Sequence, residues 1–177
     1  MHGKPFLSTF AGADEWLAMC GGRYPCQHLY SGQTVALVAQ DRHKRTMVAF
    51  ARKHFALLSR FRARVATGTT GGLLNGMARK RGVRDWVVPM LPGPLGGDAQ
   101  IARLLLEGAC DRVLFFEDPH VAREHEADIQ LLERAARVVG ERAVCLNDPA
   151  SAERWACQTK RVAAATAKSG PEEGFRV

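Results

Sequence analysis

Apolar positions come in short, unbroken runs, separated by stretches with helical spacing. Residues 34–39 (Thr-Val-Ala-Leu-Val-Ala) form the first run, as expected of a strand buried on both faces. Residues 64–67, 86–90, 112–116 and 142–146 repeat the signature. Between the first two runs, Met47, Phe50, Ala51, His54, Phe55 and Leu58 recur at the intervals of an amphipathic helix. Further helices are predicted over 73–79, 98–108, 128–139 and 150–168, with Gly82, Gly108 and Gly140 as stops. Strand and helix thus alternate five times. This alternation predicts parallel strands joined by right-handed helical crossovers. The fold class is therefore α/β: an open, doubly wound, mainly five-stranded parallel sheet with helices on both faces. Such sheets bind ligands outside the carboxyl ends of their strands. The residues to inspect are 40–44, 67–72, 91–98, 117–119 and 147–148.

Length and composition narrow this to one core. A chain of 177 residues, 46% hydrophobic and 24% charged, suits a single globular domain. Residues 1–32 carry Gly21-Gly22, Ser31-Gly32 and one candidate short helix over 14–19, and are expected to form a loosely packed extension. Residues 33–168 hold the α/β domain, and 169–177 read as a mobile tail. The five cysteines include no Cys-x-x-Cys pair, so neither a disulfide framework nor a zinc site is expected. His43, His54, His120 and His125 show no ligand spacing, and no metal is expected. No stretch approaches the roughly 20 apolar residues of a membrane span. The first eighteen residues lack the charged head and apolar run of a signal peptide, which predicts a soluble, cytoplasmic protein without a membrane partner. The net charge is +7, but the basic residues are scattered and the aromatics, 7% of the chain, do not alternate with them. A nucleic-acid partner is therefore not expected; basic helix faces and a small anionic substrate account for the charge.

Several of the strand-end segments carry chemistry. Thr67-Gly68-Thr69-Thr70-Gly71-Gly72 joins a strand to a helix. Gly68 permits close backbone approach, Thr69 and Thr70 offer hydroxyls, and a helix N-terminus favours anions. No Gly-Lys-Ser/Thr follows, so this is not a Walker loop. The alternative is a plain turn with a threonine as the helix cap. Lys44 stands just past the first strand, where it could present a point charge to phosphate. Pro92-Gly-Pro-Leu-Gly-Gly-Asp98 forms a shaped loop that delivers Asp98 to a helix start, either as an N-cap or as a base. A helix N-terminus would weaken that base. Asp118, His125 and Asp128 follow in an acidic segment, where His125 could donate to a developing oxyanion. No dinucleotide fingerprint (Gly-x-Gly-x-x-Gly) and no nucleophile elbow (Gly-x-Ser-x-Gly) occurs.

In order, these segments resemble the methylglyoxal synthase family. The resemblance rests on Val35-Ala-Leu-Val-Ala-Gln-Asp41-x-x-Lys44, Ala66-Thr-Gly-Thr-Thr-Gly71, Gly93-Pro-Leu-Gly-Gly-Asp98-x-Gln100, and Phe115-Phe-x-Asp118-Pro119 followed by His125 and Asp128. It covers about residues 34–158. It implies conversion of dihydroxyacetone phosphate into methylglyoxal and inorganic phosphate, without a cofactor. It casts Asp98 as the base, with His125 polarising the carbonyl and Asp118 and Asp128 assisting it. Gln40, Asp41, Lys44, Thr67, Gly68, Thr69, Thr70, Pro92, Gly93 and His125 would surround the substrate and its phosphate. It further implies a homo-oligomer, a hexamer by family pattern. Two positions depart from that pattern: Gln40 stands where the family usually has His, and Pro92 where it usually has Ser. They motivate the alternative of a non-catalytic module of the same fold that binds phosphate or nucleotide effectors.

Overall fold

A computed structural model describes residues 30–117, 126–140 and 142–169; for 126–129 and 165–169 it describes the backbone alone. The strands are β1 (Thr34–Ala39), β2 (Ala63–Ala66), β3 (Val88–Pro89), β4 (Arg112–Phe116) and β5 (Val144–Leu146). The helices are α1 (Lys44–Lys53), α2 (Phe55–Leu58), α3 (Gly68–Arg79), α4 (Gly97–Leu106), α5 (Glu126–Val138) and α6 (Pro149–Ser169). Short 3-10 turns, Asp41–His43 and Gly93–Leu95, precede α1 and α4.

The sheet runs β3-β2-β1-β4-β5, and every pairing is parallel. The doubly wound reading therefore holds. From β1 the chain first moves outward through β2 to β3, then crosses back to β4 on the other side of β1. The winding direction reverses between β1 and β4, and this is where a doubly wound sheet opens a crevice.

Because side chains alternate along a strand, β1 and β4 split their apolar residues between two cores. Val35, Leu37, Ala39, Leu114 and Phe116 pack beneath Met47, Phe50 and Ala51 of α1, Leu74, Met77 and Ala78 of α3, and Trp155 of α6. Ala36, Val38, Val113, Phe115 and Cys145 pack beneath Ile101, Ala102 and Leu105 of α4 and Leu132, Ala135 and Ala136 of α5. Each large side chain buried in this way contributes roughly 1.5–3 kcal/mol.

The amino end of the sheet is closed by aromatic groups. The Arg112 guanidinium lies 5.1 Å from the Tyr30 ring and 4.8 Å from the Trp155 ring. Tyr30 also stacks on Phe61 at 4.5 Å, and its hydroxyl accepts the Trp155 indole N–H at 2.9 Å. Tyr30 falls in the segment read as an extension, yet it is buried in the first core.

Several elements differ in extent from the sequence pattern. β3 is two residues long, because Asn75 takes the place of a strand partner for Val87: its amide donates to the Val87 carbonyl and accepts the Val87 N–H, both at 2.9 Å. Pro89 is tolerated because β3 is an edge strand. α3 begins at Gly68, five residues earlier than the apolar periodicity suggested, because its first turn is polar. Gly108, at φ 71°, ends α4 as expected of a left-handed terminator. No helix among the described residues is long and apolar enough to cross a membrane.

A second polar anchor ties α1 to α6. Buried His54, the C-cap of α1, meets Glu153 of α6 through Nε2 at 2.9 Å, and Lys53 pairs with the same carboxylate. Burial holds His54 below its usual value despite its hydrogen bond to the negatively charged Glu153. Burial works to raise Glu153, but its hydrogen bonds from Lys53 and His54 outweigh this and hold it down at about 2. Both groups thus bind protons more weakly when folded. The unfolded chain takes up protons first, near pH 6.5 for the imidazole and near pH 4.5 for the carboxyl. Stability should therefore be fully present above about pH 7 and fall on acidification, in one step through the histidine range and another below about pH 4.5. Thermal melting between pH 8 and pH 2 checks this, and His54→Gln should flatten the first step.

Candidate active site

The carboxyl ends of β1, β2 and β3 carry most of the predicted site residues. Gln40 follows β1, and its backbone N–H still donates to the Phe116 carbonyl at 3.0 Å, so it remains in register with β4. Asp41 opens the next turn and is exposed; its carboxylate pairs with the ammonium of Lys44, the first residue of α1. Lys44 is thereby held near the rim, with 20% of its side chain exposed.

Thr67 occupies the N-cap position of α3, but its hydroxyl does not cap the helix backbone. It donates instead to the Thr70 hydroxyl at 3.3 Å, and both threonines are buried, while Thr69 is exposed. The Gly68 N–H is occupied by the Leu91 carbonyl at 2.9 Å. That leaves the Thr69 and Thr70 N–H groups as the first-turn donors with no intrahelical acceptor, the usual condition of a helix N-terminus.

The next loop is built against this one. A side chain at position 68 would bring a Cβ within 2.9 Å of both the Met90 carbonyl oxygen and the Pro92 nitrogen. A Cβ at position 97 would stand 1.9 Å from the Leu91 carbonyl oxygen. Only glycine fits at either place. Within the loop, Leu95 N–H and Gly97 N–H donate to the Pro92 carbonyl at 2.9 and 3.1 Å, and Gly96 turns the chain with φ 94°. The side chain of Gln100 reaches back from α4 and accepts the Leu91 N–H at 2.8 Å.

Asp98 is the second residue of α4, not its N-cap, which is Gly96. Asp98 is 7% exposed, and its carboxylate lies against Gly93, where a Cβ would stand 3.0 Å from Oδ2. Asp98 shares the buried stripe of α4 with Ile101, Ala102 and Leu105 and so faces the sheet. Gly68 meets Pro92, and Gly93 meets Asp98, so the Thr67–Thr70 and 91–98 segments form one continuous wall.

Asp118 and His125 lie outside the described residues. Asp128 falls in the first turn of α5, and its side chain is likewise outside them. Two rim residues lay within the segments marked for inspection but were given no role. Glu117, at the end of β4, is 6% exposed and accepts the Asn147 amide N–H at 3.2 Å. Asn147, at the end of β5, accepts the Cys145 thiol at 3.0 Å. The available signal was a charged residue directly after an all-buried strand.

Relatives of this chain are known by name. The methylglyoxal synthase of Brucella ovis is 41% identical over 104 residues, which is 59% of this chain and 79% of that protein. The methylglyoxal synthase of Ralstonia nicotianae is 45% identical over 107 residues, 59% of this chain and 73% of that one. The chain belongs to the methylglyoxal synthase family. A crystal structure of the methylglyoxal synthase from Elizabethkingia anophelis shares the fold, with a TM-score of 0.57 and 33% identity over 71% of this chain and 78% of the other. No family model matches the chain.

The glycine contacts generate a sharp expectation for this wall. Gly97→Ala must push the Leu91 carbonyl away and break its bond to Gly68. The variant should unfold at least about 3 kcal/mol more easily, which denaturant titration would measure. Gly72→Ala, at an exposed helical position with open space, should hold or raise stability, by up to about 1 kcal/mol.

Proposed function

We propose that this protein is a methylglyoxal synthase that converts dihydroxyacetone phosphate into methylglyoxal and inorganic phosphate. The observation that carries the reading is the buried Asp98 carboxylate, fixed against Gly93 on the same wall as the N-terminus of α3. The phosphate would lie at that N-terminus, among Thr67, Gly68, Thr69, Thr70, Pro92 and Gly93, with Gln40 and the Asp41–Lys44 pair at its β1 side. Asp98 would take a proton from the hydroxymethyl carbon. His125 would donate to the carbonyl oxygen as it becomes the ene-diolate, with Asp118 and Asp128 orienting the imidazole or relaying protons. Elimination then breaks the carbon–oxygen bond to phosphate. That bond must stand perpendicular to the ene-diolate plane, and a rigid cradle imposes this geometry. No cofactor enters the scheme. Residues 33–168 would form the catalytic unit of a homo-oligomer, hexameric by family pattern.

Two features of the structure support this assignment of labour. The Gly68 N–H is engaged with Leu91, so its part in phosphate binding is steric: it lets the two loops close. Pro92 brings no hydroxyl or N–H, but its carbonyl organises the loop by accepting from Leu95 and Gly97.

The test is turnover by the purified chain. Methylglyoxal and phosphate should be released in equal amounts from dihydroxyacetone phosphate. Asp98→Asn should lower kcat about 10³-fold, within the range for loss of a general base. Gly93→Ala should lower kcat about tenfold without loss of stability, because it displaces the Asp98 carboxylate by a fraction of an ångström. A protein with no turnover that binds a nucleotide more tightly than a triose phosphate would be an effector-binding module instead.

A further inference from the structure

Asp98 and the start of α3 can act on one substrate only if the loop between them keeps a fixed shape. Burial does not hold that loop down: Leu91 is 47% exposed and Leu95 68%. Hydrogen bonds do the holding. The bonds from Leu95 and Gly97 to the Pro92 carbonyl curl the loop on itself. They do not tie it to the elements on either side. That attachment falls to Leu91, at the loop's entrance.

Leu91 lies just past β3, at the edge of the sheet. The Met90 N–H still donates to the Ala66 carbonyl at 2.7 Å. With no strand beyond β3, the Leu91 N–H takes its acceptor from α4, the Gln100 side-chain oxygen at 2.8 Å. Gln100 also closes the first turn of α4, its own N–H donating to the Gly96 carbonyl at 3.0 Å. One residue therefore grips both ends of the loop, with its side chain at the entrance and its backbone at the exit. The Leu91 carbonyl in turn accepts the Gly68 N–H at 2.9 Å and abuts Gly97. Gln100, Leu91 and Gly68 thus form a series of bonds that runs from α4 to the first residue of α3, past the Gly93 backbone on which the Asp98 carboxylate rests.

We propose that Gln100 is a positioning residue for the proposed reaction: by capturing the Leu91 N–H it sets the Leu91 carbonyl against Gly68, and so fixes Asp98 relative to the start of α3. The inference rests on the reading of Asp98 as the base and of the α3 start as the phosphate cradle. In one small substrate the carbon that loses the proton and the phosphate lie a few bonds apart. A misplacement of about 1 Å between base and cradle would cost up to about a hundredfold in rate. A neutral amide suits this place: its oxygen accepts, its exposed NH2 stays in water, and it adds no charge two residues from Asp98.

Gln100→Ala removes the acceptor, and Gln100→Asn leaves it one methylene short. Both should lower kcat about tenfold with KM for dihydroxyacetone phosphate held within about threefold, because the N-terminus of α3 is untouched. Gln100→Glu keeps an acceptor oxygen at the same reach and should keep kcat within about threefold of the parent. Amide hydrogen exchange reads the joint without turnover. In Gln100→Ala the Leu91 amide should exchange about tenfold faster, and so should the Gly68 amide, which Gln100 does not touch, while the amides of β1 and β4 stay as they were. Gln100→Glu should restore both. Unchanged exchange at Gly68 in Gln100→Ala overturns the proposal, whether or not the parent turns over substrate. In an active parent, an unchanged kcat in Gln100→Ala overturns it too, as does an equal loss in Gln100→Ala and Gln100→Glu. An inactive parent whose Gly68 amide responds to Gln100→Ala overturns the functional reading and supports the joint.

Discussion

The site depends on one close approach. The Leu91 carbonyl oxygen occupies the space in which any residue other than glycine at position 97 would carry its Cβ, and it accepts the Gly68 N–H from the other side. This contact joins the loop after β2 to the loop after β3. Without it the start of α3 and the start of α4 would be independent, and the anion-attracting helix end would bear no fixed relation to the Asp98 carboxylate. Gln100 completes the joint by accepting the Leu91 N–H, so both polar groups of one peptide-linked residue are tied to different helices. Backbone groups and glycines make a stiff joint, because there is no side-chain rotamer to relax.

The sheet has two unlike ends. At its amino end Tyr30, Phe61, Trp155 and Arg112 fill the space, with the charged guanidinium lying over two aromatic rings. At its carboxyl end β1, β2, β4 and β5 are followed directly by the polar residues Gln40, Thr67, Glu117 and Asn147. The reversal of winding between β1 and β4 puts the break in helix cover at that second end. The same polarity that lets parallel strands bury both faces therefore reserves one rim for chemistry.

Charge at this rim is arranged in opposition. Lys44 and the N-terminus of α3 favour an anion, whereas Asp98 and Glu117 disfavour one. A phosphorylated substrate that loses a proton and then expels phosphate suits such a divided site. In the proposed reaction the cationic side would hold the leaving group, and the acidic side would take the proton. Gln40 sits at the boundary, tied to β4 through its backbone, and as a neutral amide it can orient an oxygen without altering this balance.

Much of this was legible in the chain itself. The continuous apolar runs 34–39 and 112–116 required strands covered on both sides, and the polar or glycine-rich residues after them marked the rim. Asp98 at a helix start and Gly108 as a stop followed from local rules, because caps and turns are decided within a few residues. Other features had no local signal. The reach of α3 back to Gly68, the shortening of β3 by Asn75, and the engagement of the Gly68 N–H all depend on partners 12 to 23 residues away. The same is true of Tyr30, which glycine-rich surroundings disguised and which Trp155 and Phe61 draw into the core. Glu117 is the clearest case. By sequence it was one more charge after a strand, and only the tertiary structure buried it and brought Asn147 to it. Periodicity and glycine placement determined the fold and the rim. Tertiary contacts decided which polar groups there are free to act, because hydrogen-bond partners and burial are set by neighbours distant in the chain.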